Sequence, residues 1–290
     1  MTSLLARMDR KQPIVLTGAT GGFVEIAMSW ACNLRMLGVF SNVMVAAFDE
    51  DAYTQMYMLG MPVFVPSRSL TGHAKNAFAY GTDTYKAVTK LKTAVVVEVL
   101  AAGYDVVWCD PDVVVFRPFV PVLVAAAATH GAFVIQNNNP TSMAARAVKT
   151  NSGLYIARAV PWVVAALGDV VRHAVGSRAS EQMSWNAVLC RRSSLARNTC
   201  FYGNNTIHFL PRTQFATGSE SDTATMALRE KGVPYGLVAW HNNWITGYTN
   251  KIKRATELGQ FFWDPKGGHC ATAQESGILA RYAQQGRHVR

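Results

Sequence analysis

An α/β fold, with helices layered on a mostly parallel sheet, is what this sequence predicts, and three observations carry it. Short apolar runs with strand character alternate with segments of helical spacing along most of the chain. One such run leads into a glycine-rich turn and a helix, and another ends on a pair of aspartates. Half of the 290 residues are apolar, enough to bury a substantial core in one domain of two lobes.

In chain order, residues 13–17 form a short apolar strand that enters the turn Gly18-Ala19-Thr20-Gly21-Gly22. A helix over 23–37 follows, with Ile26, Trp30, Leu34 and Leu37 at three- and four-residue spacing. Residues 43–48 and 62–65 read as further strands. Asp83 is positioned to cap a long helix reaching about residue 102. Residues 104–109 form a buried strand that stops at Asp110. Strands at 132–136 and 153–157 and helices near 161–174 and 180–189 come next. A last strand over 235–240 ends at His241, and the chain from about 266 to 290 reads as a loose tail.

Charge and cysteine usage narrow the function. The net charge of +10 favours anionic partners. The cations are scattered, however, with Arg191-Arg192 and 251–254 the densest clusters, which argues against nucleic acid. Five cysteines (Cys32, Cys109, Cys190, Cys200, Cys270) stand far apart with no CxxC pair, so reduced core thiols are expected. The N-terminal stretch lacks a signal peptide, and no apolar run approaches the ~18 residues of a membrane span. A soluble, cytoplasmic chain is the expectation; the alternative is a Golgi-luminal enzyme whose N-terminal anchor is missing from this chain.

Three segments carry candidate chemistry. Thr17 to Gly22, between a strand and a helix, has the context of a dinucleotide fingerprint. Glu25 stands where its last glycine belongs, and none of the ten tyrosines is followed four residues on by lysine. A turn that brings backbone close to a ligand is preferred over an NAD(P)-dependent short-chain-type oxidoreductase. The second segment, Asp110-Pro111-Asp112, follows an apolar strand, at the sheet end where α/β folds bind ligands. In extended backbone both carboxylates share a face. Such a pair needs a cation between them, which suits Mn²⁺ or Mg²⁺. A capped turn is the bland reading. A phosphatase of the haloacid-dehalogenase type is disfavoured because Asp222 and Asp264 stand alone late in the chain. The third segment, Trp240-His241-Asn242-Asn243-Trp244 with Lys251, Lys253 and Arg254 beyond it, offers an imidazole as third metal ligand and Lys251 as a point charge for diphosphate.

Four blocks taken together resemble a known family. They are Leu91-Lys92 through Asp110-Pro111-Asp112-Val113-Val114, then Asn151-Ser152-Gly153, then Glu181-Gln182 through Leu189, and finally His241-Asn242-Asn243-Trp244-Ile245. In order and spacing, over about 14–262, they resemble the nucleotide-diphospho-sugar transferases of glycosyltransferase family seventy-seven. The resemblance implies a GT-A fold, in which a Rossmann-like nucleotide-binding lobe (about 13–118) shares a continuous mixed sheet with an acceptor lobe (about 119–265). It implies transfer with retention from a UDP-sugar of the galactose, xylose or arabinose class to a glycan or protein hydroxyl. Carried over, Asp110, Asp112 and His241 match metal ligands, and Thr17, Ala19 and Thr20 fall at the nucleoside. Lys92 faces donor phosphate or sugar, and Asn151, Glu181 and Gln182 fall near the reacting sugar carbon. Pro111 departs from the usual valine and stiffens the pair. A non-catalytic nucleotide-sugar or glycan-binding protein of the same fold is the alternative.

Overall fold

The computed structural model describes residues 1–67, 82–139, 148–177 and 179–271. A short helix α1 (Thr2–Leu5) precedes strand β1 (Ile14–Ala19), a 3-10 turn over Gly21–Phe23 and helix α2 (Val24–Met36). Next come β2 (Val43–Ala47), α3 (Glu50–Met58), β3 (Val63–Phe64) and α4 (Asp83–Ala101). Strands β4 (Val106–Cys109) and β5 (Val113–Val115) flank the two aspartates. Then follow α5 (Phe119–His130), β6 (Phe133–Asn137), β7 (Thr150–Ala157), α6 (Pro161–Gly176) and α7 (Glu181–Leu189). A meander of β8 (Arg192–Ser194), β9 (Thr199–Tyr202) and β10 (Asn205–Phe209) leads to β11 (Phe215–Thr217), α8 (Thr223–Glu230) and β12 (Ala239–His241). Helix α9 (Tyr248–Glu257) and a hairpin of β13 (Trp263–Asp264) and β14 (His269–Cys270) end the described chain.

The main sheet has nine strands in the order β3-β2-β1-β4-β7-β6-β10-β9-β8. Its apolar strands alternate strictly between two cores. Val15, Val45 and Val107 face one side; Leu16, Met44 and Trp108 face the other. Both faces are covered, by α2, α3 and α5 on the first side and α4, α6 and α7 on the second, which is why these strands read as unbroken apolar runs. A second sheet, β11-β12-β5, packs into the first core through Val113, Phe215 and Trp240.

Several expectations are corrected. The sheet is mixed, as the family resemblance implied, and not mostly parallel as the alternation of elements suggested, because β7 runs antiparallel to both β4 and β6 and the β8–β10 meander adds antiparallel pairs. The cap of α4 is Thr82, whose side chain accepts from the Tyr85 N–H; Asp83 sits in the first turn. Of the strand expected over 235–240, only Ala239 to His241 joins a ladder, since Gly236 at φ +83° turns the chain first. The cysteines are not all reduced: Cys32 bonds Cys270 and Cys190 bonds Cys200, leaving Cys109 as a buried free thiol. Sequence separations of 238 and 10 residues gave no sign of these pairs; folding brings their Cα atoms to 5.4 and 4.8 Å. The start of the expected tail is likewise ordered, because β14 pairs with β13 and Cys270 is tied to α2; residues 272–290 lie outside the described ones. No helix among the described residues is long and apolar enough to cross a membrane.

Candidate functional site

Asp110 and Asp112 mark the point where the chain leaves one sheet for the other. Asp110 follows β4, and its N–H donates to the Gly153 carbonyl of β7 at 2.7 Å. Pro111 then occupies the second position of a tight turn closed by the Val113 N–H on the Asp110 carbonyl at 3.0 Å. Extended backbone is therefore not what aligns the two carboxylates, contrary to the sequence expectation; a proline turn does. Val113 pairs with His241 across β5 and β12, so sheet register sets the imidazole beside Asp112.

One ligand atom from each of Asp110, Asp112 and His241 lies within 4.8 Å of the other two. His241 Nε2 stands 3.2 Å from Asp112 Oδ1 and 3.8 Å from Asp110 Oδ2. On the far side of the ring, Nδ1 lies 3.2 Å from Gln136 Oε1. The Gln136 amide is oriented in turn by donating to the Phe215 and Ala216 carbonyls at 3.3 and 2.8 Å. An N–H at Nδ1 therefore satisfies Gln136 and leaves the Nε2 lone pair facing the carboxylates, the tautomer a metal-binding histidine needs. The room for this convergence comes from Gly153. A Cβ there would stand 2.1 Å from His241 Cε1 and 2.9 Å from Asp110 Oδ2.

Two lysines attend the pair. Lys92 Nζ contacts Asp110 Oδ1 at 2.8 Å, and Trp108 Nε1 donates to the same oxygen at 2.7 Å. Lys251 is paired with Asp112 and donates to the Asn242 carbonyl at 2.8 Å. Burial alone would push the Asp112 carboxyl up, but the ion pair with Lys251 opposes this, and the carboxyl is held well below the usual carboxylate range. Burial would likewise lower Lys92, but Asp110 and Glu181 outweigh it and keep the ammonium charged.

Behind Lys92 lies Glu181, at the start of α7, whose N-cap Ser180 accepts from the Met183 N–H. Glu181 is buried and takes hydrogen bonds from Thr93 Oγ1 at 2.9 Å and Ser152 Oγ at 2.8 Å. Burial raises its carboxyl, against the opposing pull of Lys92 and the two hydroxyls. Gln182 accepts from the Ser152 N–H at 3.0 Å and donates to the Thr150 carbonyl at 2.6 Å, bracing β7. Asn151 accepts from the Gly153 N–H at 3.0 Å and donates to Asn138 Oδ1 at 3.2 Å.

These groups open onto one cleft of roughly 480 Å³. Of the residues singled out from sequence, Lys92, Asp110, Asp112, Asn151, Glu181, Gln182, His241 and Lys251 all line it. Thr17, Ala19 and Thr20 are buried at the end of β1 and are not among its lining residues. The glycine turn serves packing and capping. Phe48 ring atoms lie 2.5 Å from where a Gly18 Cβ would be. The Gly21 N–H is held by both oxygens of Asp49, at 3.0 and 3.1 Å, so a carboxylate already stands where a dinucleotide's pyrophosphate would bind.

Sequence reasoning missed Gln136, the spatial reason for Gly153, and a clamp built on Arg254. That side chain is buried and donates to Asn242 Oδ1 at 2.7 Å, the Gly218 carbonyl at 2.7 Å and the Asn243 carbonyl at 2.6 Å. It thereby fixes the segment that carries His241. The only signal in sequence was its place in the cationic run 251–254.

Comparison with known proteins gives the following likenesses. A family model described as nucleotide-diphospho-sugar transferase matches residues 38–255. The chain is 32% identical over 262 residues to beta-arabinofuranosyltransferase RAY1 of Arabidopsis thaliana, covering 88% of this chain and 49% of that protein. It is 27% identical over 111 residues to arabinosyltransferase XEG113 of the same plant, covering 38% of this chain and 16% of that protein. The chain thus spans about half the length of the first relative and less of the second. Among solved structures, glycosyltransferase GlyE of Streptococcus pneumoniae TIGR4 shares the fold with a TM-score of 0.50 at 11% identity, covering 95% of this chain and 64% of that one.

Proposed function

Because the chain belongs to the nucleotide-diphospho-sugar transferase family and has a GT-A fold, we propose that it is a metal-dependent, retaining glycosyltransferase using a UDP-sugar. Of the three donor classes suggested by sequence, arabinose is favoured by the names of both plant relatives, and its furanose form by the name of the first. The acceptor is a hydroxyl of a glycan or protein. Residues of about 13–118 form the proposed donor lobe and those of about 119–265 the acceptor lobe.

The observation that carries this reading is the convergence of Asp110, Asp112 and His241 on the cleft, with Gly153 too small to obstruct it. Two carboxylates and one imidazole with its outer nitrogen engaged suit Mn²⁺ or Mg²⁺. Bound there, the ion would supply positive charge to a leaving diphosphate.

The chain's own residues do the rest. Lys92 and Lys251 present ammonium groups at the cleft, each able to exchange an aspartate oxygen for one of diphosphate. Asp110 and Glu181 together keep Lys92 charged. Gln182 braces the strand that carries Asn151 and Gly153 while lining the cleft, so its carbonyl oxygen can also stabilise positive charge developing at the reacting sugar carbon. In transfer, the bond from the anomeric carbon to phosphate oxygen breaks and a bond to the acceptor oxygen forms on the same face. The acceptor's proton passes to the departing phosphate oxygen, so no side-chain base is required.

Asp112→Asn should lower Mn²⁺-stimulated UDP release at least ~10³-fold while the far-UV spectrum stays native. Release that survives the change removes the metal site from the mechanism. A panel of UDP-sugars screened for Mn²⁺-stimulated UDP release identifies the donor; UDP binding without release from any of them favours the non-catalytic binder.

The two disulfides support an oxidising, luminal setting over the cytoplasmic one. Thiol titration of protein purified from its native source should find Cys109 alone free; five titratable thiols would return the chain to a reducing compartment.

A further inference from the structure

Trp244 combines two unfavourable features that nothing in the fold explains. It is a non-glycine residue at φ +57°, a left-handed conformation that L side chains avoid, and the residue is 54% exposed. It also lines the cleft. Loose backbone is not the reason, because the residue before it is tied on every side. Asn243 accepts from the Gly218 N–H at 2.8 Å, donates to Asn138 Oδ1 at 3.2 Å and gives its carbonyl to Arg254, while its own N–H donates to the His241 carbonyl at 2.7 Å. The indole is thus aimed into open space from a rigid mount.

What stands beside it indicates the ligand. Asn138 Oδ1 receives both the Asn243 and the Asn151 amide, so three asparagines meet at one point of the cleft. An aromatic face next to clustered amides matches a saccharide ring. The ring's C–H bonds, with partial positive charge, suit the negative face of the indole, and its hydroxyls both donate to and accept from amides. Two other aromatic residues of the cleft are occupied differently: Phe23 and Tyr248 meet edge to face at 5.7 Å, and Tyr248 donates to Glu25 at 2.5 Å.

We propose that Trp244, with Asn138, Asn151 and Asn243, forms the subsite for the acceptor saccharide, with the indole as its stacking platform. The proposal rests on the transferase reading but stands or falls on a different measurement. Wild type, Trp244→Ala and Trp244→Phe would be compared with Mn²⁺ and the active UDP-sugar for UDP affinity, acceptor-free donor hydrolysis, and acceleration of UDP release by arabino- and galacto-oligosaccharides. Trp244→Ala should raise the half-saturating concentration of the stimulating saccharide at least tenfold. Trp244→Phe should raise it less than threefold, and UDP affinity and acceptor-free hydrolysis should stay within twofold. An unchanged half-saturation, an absence of saccharide stimulation in wild type, or a tenfold loss of UDP affinity (which would make the indole a nucleobase platform) overturns it. Should wild type hydrolyse no donor, the transferase reading fails by itself. The subsite is then judged by titrating the same oligosaccharides against indole fluorescence, where saturable quenching in wild type that Trp244→Ala abolishes supports it and any other result overturns it.

Discussion

Asp110 and Asp112 are separated by one proline, yet they belong to differently built halves of the molecule. Asp110 ends a strand of the nine-stranded sheet, and its surroundings come from regular structure: Trp108 of β4, Lys92 of α4, Gly153 of β7, with Glu181 of α7 behind. Asp112 enters the small sheet, and its partners are arranged by side-chain clamps. His241 is oriented by Gln136, Lys251 lies on the surface helix α9, and the segment between them is gripped by Arg254. Even α9 is followed by a hairpin that a disulfide secures to α2. In the first half regular structure places the groups, in the second a few side-chain clamps do, so the two should fail differently.

The sharpest way to break both at once is Gly153→Ala. The added methyl meets the imidazole at 2.1 Å, and the strand carrying it is hydrogen-bonded to a neighbour on each side. Displacing His241 from Asp110 should reduce Mn²⁺-stimulated UDP release about 10²-fold or more. Stability should fall by about 1–3 kcal/mol in urea unfolding. Activity within threefold of wild type would show that the convergence is not needed.

Arg254→Met isolates the second half. It removes the donors to Asn242, Gly218 and Asn243 and leaves buried acceptors unpaired, at a cost of about 3 kcal/mol. Arg254→Lys should recover only a small part, because an ammonium cannot span three acceptors held by a planar fork. Hydrogen exchange ought to show the loss concentrated around 241–244 with β4 and β7 unchanged; uniform loss would mean the halves are not independent.

The smallest effect separates the halves by the sign of their pH dependence. Asp112, held below its ordinary value of 3.8, contributes stability present above that value and lost as pH falls through it. Glu181, raised above its ordinary 4.5, does the opposite: the folded state takes up a proton before the unfolded one, so falling pH relieves it. Unfolding free energy measured from pH 7 to pH 3 should therefore fall less steeply in Asp112→Asn than in wild type, and more steeply in Glu181→Gln. Parallel curves for all three would remove the electrostatic distinction.

The sequence by itself determined the layered α/β class, the strands β1, β2, β4 and β7 as apolar runs, and the helices α2, α4, α6 and α7, because burial on both faces and helical spacing leave local marks. It also determined most residues of the cleft, since a strand that ends on paired acids is unusual enough to be noticed. It left the β8–β10 meander and the helices α3, α8 and α9 undescribed, their patterns being short or mixed with polar residues, and α5 as well, whose run is apolar nearly all round and so carries no helical period. Only the tertiary structure decided the antiparallel insertion of β7, the two disulfides, the turn that aligns the carboxylates, and the parts played by Gln136, Gly153 and Arg254. Apart from that turn, which is local, each of these depends on atoms brought within a few ångströms from positions 10 to more than 200 residues apart, a closeness that no local pattern of residues encodes.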